Sequence, residues 1–405
     1  MPYNILSLDG GGSWAILEAQ ALGEIYGYNT AGHDILKRFA LAASNSGGSI
    51  VLAGLAVNFT PQEIIDLLNS EEQRKTIFVR TMKAFTGYEK YNTVAKLAGL
   101  QKALGDASNQ LLNVMDLPCK LLIAAFDYNR MREQFFRTDA NSPAAGSSGS
   151  AQPTLVEAVH ASSNAPAKYF DEPAEFSTPA FAGERYWDGA MGGFNNPVMA
   201  AVIEMLSYGH APGDLRILSL GTANVFLPMP NPLPTPGASG QNPLFAQITD
   251  AGFIHDVSLV TTTILDDPPD QATFQAHLIA SGASALSQDP AKPVTSGNVV
   301  RLNPWMQPVR TAAGWGTPSL LAYAGEGSSV PENYDSDGGV FNALVKLDID
   351  AVEQTDVDLI TTLGRAWVAG AVPNQSIRAT ADMRTLIGHG TFAAGLAQAK
   401  KLGLT

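Results

Sequence analysis

Residues 38–51 read RFALAASNSGGSIV, and the change of character within this stretch decides the fold. Phe39 to Ala43 is an apolar, strand-like run, tiny residues follow, and an apolar helical run resumes from Ile50 to Val57. Ser46 therefore falls where a strand turns sharply into a helix, the setting of a nucleophile elbow. Such a turn brings backbones close together, so its flanks must be small, and the start of the helix offers unpaired N–H groups to developing negative charge. Ser44, Asn45, Gly47 and Gly48 form the expected elbow around Ser46, with Ser44 replacing the first glycine of Gly-x-Ser-x-Gly. Ser44 and Ser49 are rival nucleophiles, although Ser46 and Val51, not glycine, lie two residues beyond them. Taken alone, the run also reads as a plain turn.

Upstream, Tyr3 to Leu8 reads as a short buried strand, and Asp9-Gly10-Gly11-Gly12-Ser13 leads directly into a helical pattern from Trp14 to Tyr26. Three glycines between strand and helix let the backbone approach a ligand with its N–H groups exposed, which is how an oxyanion or a phosphate is bound. Gly10-x-Gly12-x-x-Ala15 also fits a dinucleotide-binding fingerprint, but that reading needs an acidic residue at the end of the next strand, where this chain has Ser-Asn-Ser. No Gly-Lys-Ser/Thr follows the glycines, so a P-loop is excluded.

Downstream, Thr60, Pro61 and Glu63 carry a capping signature, and Thr60 to Asp116 reads as a helical insertion with a further helix over Tyr91 to Leu104. Lys120 to Phe126 and Arg132 to Thr138 read as partner strands, Thr154 to Asn164 as a helix, Arg185 to Asp188 as a strand ending in an Asp-Gly turn, and Leu215 to Gly221 as a further strand. Asn196-Pro197 opens a helix between the last two. The alternation predicts an α/β fold, a mostly parallel central sheet with helices on both faces in three layers. Val225 to Leu244 is proline-rich and reads as a surface loop that covers the site. Beyond it come two helices within Ile248 to Leu286, a strand at Val299 to Leu302, and helices over Val352 to Trp367 and Met383 to Leu402. The expected organisation is a catalytic core over residues 1–223 and a mainly helical part over 224–405 packed on the same domain.

With 405 residues, 45% hydrophobic and 16% charged, the chain can bury a sizeable core. A net charge of −13 argues against nucleic acid as partner. The single cysteine, Cys119, excludes an internal disulfide and a cysteine-based zinc cluster, and fits a reducing, cytoplasmic setting. No secretory signal is visible and the longest apolar run is too short to span a bilayer, while export by a signal-independent route stays open. No cofactor and no metal are expected. Asp337, in the acidic turn Asp335-Ser336-Asp337-Gly338-Gly339, competes with Asp188 as the acid of the site and, with Asn333, mimics the start of a calcium loop, but the twelfth position is Leu344 rather than glutamate.

A serine nucleophile needs a base. His210 precedes a strand and His389 lies in a helical tail, so neither has the usual place after a late strand, although His210 stays open. Asp188 is the better candidate, since a carboxylate at a strand end can project from the sheet edge that carries the elbow and accept the hydroxyl proton directly.

Asp9 to Gly12, Ser46 with Gly48, Ala165-Pro166-x-x-Tyr169-Phe170, Asp188-Gly189-Ala190 with Asn196-Pro197, and Leu218 to Thr222 occur in the order seen in patatin-like phospholipases, which this chain resembles from about Asn4 to Ala223. The resemblance implies a Ser46–Asp188 dyad without histidine, an oxyanion hole from Gly10, Gly11 and Gly12, and hydrolysis of lipid acyl esters with transient contact at a membrane surface. Trp14-Ala15 stand where the family usually has arginine and glycine, which makes phospholipid preference less secure than ester hydrolysis. A dinucleotide-binding domain and a catalytically idle storage or scaffold protein are the alternatives.

Overall fold

The computed structural model describes residues 2–81, 90–145, 151–166, 169–226, 268–282, 294–312, 314–336, 338–375, 377–378 and 386–405. Its spine is a mixed, mostly parallel sheet. The parallel strands are β1 (Tyr3–Leu8), β2 (Leu41–Ser44), β3 (Lys120–Asp127), β7 (Leu215–Leu220) and β9 (Val299–Leu302), while the short β8 (Asn224–Val225) lies outside this sheet. The antiparallel ones are β4 (Arg132–Arg137), β5 (Ala174–Glu175) and β6 (Arg185–Asp188).

The parallel strands are buried on both sides, as such strands must be when helices cover each face. Side chains alternate between two cores. Leu6, Leu8, Ala42, Ile123, Leu218 and Leu302 face a large core shared with α1 (Ile16–Tyr26), α3 (Ser46–Ala56) and α7 (Leu155–Ser162). Ile5, Leu41, Ala43, Leu122 and Ile217 face a smaller one closed by α8 (Val198–Ser207) and α9 (Pro268–Ser281). The expected three layers are present.

The insertion after α3 consists of α4 (Pro61–Asn69), α5 (Glu71–Ile77) and α6 (Thr93–Leu104). The Thr60 and Thr154 signatures are true capping boxes, each threonine bonding the amide of the glutamate three residues on, which bonds back. Towards the C-terminus, α10 (Gly339–Leu344), α11 (Gln354–Val368) and α12 (Phe392–Leu402) follow.

Some expectations are corrected. The strand before the elbow begins at Leu41, because Lys37 to Phe39 still carry i→i−3 and i→i−4 bonds from the short helix α2 (Gly32–Leu36). Of the two helices expected within Ile248 to Leu286, the described one runs from Pro268 to Ser281, consistent with proline's tolerance in a first helical turn. The C-terminal helix starts at Phe392, capped by Thr391, and Leu386–Ile387 pair as a strand with Ile377–Arg378. The proline-rich stretch beyond Phe226, the segment from Ile248 to Asp267, and Asp337 lie outside the described residues.

Candidate active site

The site is assembled by strand register. Ser44 of β2 pairs with Ile123 of β3, and Asp188 of β6 pairs with Ala125, two residues further along. β4 pairs with both Ile123 and Ala125, so it occupies one side of β3 and leaves β2 and β6 end to end on the other. Asp188 thus arrives about 7 Å beyond the point where β2 ends and the chain turns into the elbow, two residues of strand rise.

Ser46 has φ 48°, a left-handed conformation that a non-glycine residue adopts at a cost. This is the strained turn expected of a nucleophile elbow at a strand–helix junction. Its backbone N–H donates to the Ser162 hydroxyl at 3.0 Å. The rivals are unavailable: Ser44 is fully buried at the strand end, and the Ser49 hydroxyl donates to the Ser46 carbonyl at 2.6 Å. Gly48 is required by space, since a Cβ there would lie 2.5 Å from the Asp9 carbonyl oxygen.

The Asp188 carboxylate accepts from the Asn45 side-chain amide at 3.0 Å and the Ala190 backbone N–H at 2.9 Å. The Ser46 hydroxyl lies near the same carboxylate, favours its charged form, and lines the same cavity. Burial raises the pKa of Asp188 above its ordinary 3.8, against the opposing pull of Ser46, Ala190, Asn45 and Lys96. Among the described residues no histidine lines the cavity. His210 stacks on Tyr3 with ring centroids 3.6 Å apart, and the buried His389 ring contacts the Thr295 carbonyl.

The glycine loop faces the elbow. The Gly10 N–H donates to the Asn195 carbonyl at 2.7 Å and its carbonyl accepts from the Thr222 hydroxyl at 2.7 Å. Gly10 is therefore spoken for, whereas the Gly11 and Gly12 amides have no acceptor among the described residues. The Gly47 amide, in the first turn of α3, also has none, and its Cα is so close to Gly12 that a Cβ would lie 2.4 Å from the Gly12 carbonyl oxygen. Three amides thus remain to receive an anion, one of them unflagged by the glycine-loop reading but implied by the geometry of any such elbow.

These groups open on a cavity of about 540 Å³, within the range of small-molecule sites. Gly10, Gly11, Ser46 and Asp188 line its polar end, and Trp14, Met191, Met306, Leu344, Leu347 and Ile349 its apolar walls. Gly12 and Gly47 line a narrow adjoining crevice that also reaches Ser46. Two contributions were not legible beforehand. Arg301 on β9 reaches Asp9 in a buried ion pair at 2.6 Å, beneath the glycine loop. Residues 348–351 bind the loop from outside: the Ser13 N–H donates to Ile349, the Ser13 hydroxyl to Ala351 and the Trp14 indole N–H to Asp348, all at carbonyl oxygens. Among the described residues no group of acidic, histidine and cysteine side chains could hold a metal ion.

Compared with known families, residues 6–202 match the model described as patatin-like phospholipase. The chain carries a patatin-like phospholipase domain. That family comprises lipid acyl hydrolases, and the mostly parallel sheet wrapped by helices is its fold. The patatin-like match takes in the glycine loop, the elbow and Asp188, and ends before Arg301 and the Leu344–Ile349 wall. No curated protein matches the sequence. Among solved structures, VipD from Legionella pneumophila is similar at 12% identity and a TM-score of 0.37, over 90% of this chain and 66% of that one. The chain thus spans slightly under two thirds of VipD, and a likeness this loose bears no functional weight.

Proposed function

We propose that the protein cleaves fatty acyl esters through an acyl-enzyme on Ser46, with Asp188 as the base and no histidine. The observation that carries this reading is the convergence on one apolar-walled cavity of a serine held at positive φ, a buried carboxylate near it and the Gly11 amide, with the Gly12 and Gly47 amides in the crevice that meets the cavity at Ser46. The Ser46 hydroxyl attacks the ester carbonyl carbon while its proton passes to Asp188. The resulting oxyanion is held by the Gly11, Gly12 and Gly47 amides, each donor worth about 2.7–4 kcal/mol at the barrier. Collapse breaks the ester C–O bond, and the departing alcohol takes the proton from Asp188. Water, deprotonated by the same carboxylate, then releases the fatty acid.

In this reading residues 1–223 form the catalytic core, and residues 224–405 supply the second wall of the substrate cavity. The half-exposed apolar side chains of Met191 and Val225 at the cavity rim would touch a lipid surface transiently. Ser46→Ala is expected to abolish both hydrolysis of p-nitrophenyl acyl esters and labelling by a fluorophosphonate. Full retention of either removes Ser46 from the role, and a folded wild-type protein that refuses the probe is catalytically idle.

A further inference from the structure

Lys96 is 1% exposed, an uncommon state for a lysine, and it comes from α6 of the insertion, far along the chain from both members of the dyad. Its ammonium donates to the His160 carbonyl at 2.8 Å and to Asn164 Oδ1 at 3.3 Å, and it lies 4.4 Å from the centroid of the Phe170 ring. The turn it grips, residues 160–164 at the end of α7, is the one on which the dyad rests. On one side the Ser162 hydroxyl receives the Ser46 N–H at 3.0 Å. On the other the Asn164 carbonyl receives the Asp188 N–H at 3.1 Å. The Asn164 amide is tied in turn to the Glu172 carbonyl at 2.8 Å.

We propose, resting on the function proposed above, that Lys96 is a positioning residue: a buried clamp that holds the 160–164 turn and thereby sets the spacing between the Ser46 hydroxyl and the Asp188 carboxylate. A lysine serves here because one ammonium satisfies two buried carbonyl-type acceptors and an aromatic face together. An error of about 1 Å in such a spacing costs on the order of 100-fold in rate, so even a small relaxation of the turn is visible in turnover. The charged and titratable groups around Lys96 are Asp188 on β6 and His160 on α7, with Arg74 and Asp350 lining the same crevice. Burial pushes the Lys96 ammonium well below its ordinary 10.5, and in its charged form at acid pH it favours the Asp188 carboxylate, so its removal shifts the acid limb of the rate profile to higher pH.

The test compares Lys96→Met, close in length but without charge or donors, with Lys102→Met on the exposed side of the same helix. With p-nitrophenyl butyrate, Lys96→Met is expected to lose at least about tenfold in kcat at unchanged KM, with its acid limb moved upward, while Lys102→Met matches the wild type. Ser162→Ala, nearly isosteric, removes the hydroxyl that receives the Ser46 N–H and donates to Asn45 Oδ1, and is expected to reproduce the kcat loss even if Lys96→Met fails to fold. Wild-type kcat in Ser162→Ala, or an unmoved acid limb and kcat within about twofold in folded Lys96→Met, overturns the proposal. Wild-type labelling by a fluorophosphonate is measured first, since its absence sinks the proposed function and not the clamp. In that case the Asp188 carboxyl is titrated by carbon-13 NMR, and a midpoint that fails to rise in Lys96→Met overturns the clamp.

Discussion

At the scale of single residues, the site holds its chemistry through strain and burial. Ser46 at φ 48° keeps a conformation that glycine adopts freely, so Ser46→Gly is expected to raise stability by about 1 kcal/mol in urea denaturation while abolishing labelling. Lower or unchanged stability would mean that the elbow is not strained. In the proposed mechanism Asp188 serves as a base only when ionised, and its burial places its titration above the ordinary 3.8. The labelling rate of Ser46 is therefore expected to fall about tenfold per pH unit below a midpoint that itself exceeds that value. Much of this was legible in the residues, because a tight strand–helix turn dictates tiny neighbours and leaves them as a signature. The engagement of the Gly10 amide was not, since its acceptor, the Asn195 carbonyl, is 185 positions away and carries no sequence mark.

At the scale of elements, α3 passes so near the end of β1 that no side chain fits between them. A Cβ on Gly48 would sit 2.5 Å from the Asp9 carbonyl oxygen and 2.8 Å from that of Leu8, backbone atoms that cannot rotate aside. Gly48→Ala is expected to lower stability by about 1–3 kcal/mol, read as a lower denaturation midpoint, because β1 and the glycine loop must retreat. Helices and strands were recovered from period and caps where their burial is one-sided or complete. The ends that escaped, such as Leu386–Ile387 pairing with Ile377–Arg378, are two-residue strands whose pairing is set by a partner and leaves no periodicity to read.

Across the whole molecule, Arg301 joins the C-terminal part to the glycine loop. It is fully buried against Asp9, whose carboxyl burial pushes up to about 6 even with the guanidinium beside it. Arg301→Met leaves that acid unpaired and is expected to cost about 3–5 kcal/mol in unfolding free energy, whereas the double change with Asp9→Asn should recover most of it. Purely additive losses would show that the pair is not coupled.

The order of the glycine loop, elbow and Asp-Gly turn, and the alternation of strand and helix, were already determined by the amino-acid sequence, because they follow from local sterics and from which side chains avoid water. Tertiary structure alone decided which amides stay unpaired, that β2 and β6 share one side of β3, that Lys96 lies between the turn and Phe170, and that residues 344–349 wall the cavity. Those outcomes depend on pairing and packing between segments distant along the chain, and no local pattern encodes a partner that lies a hundred residues or more away.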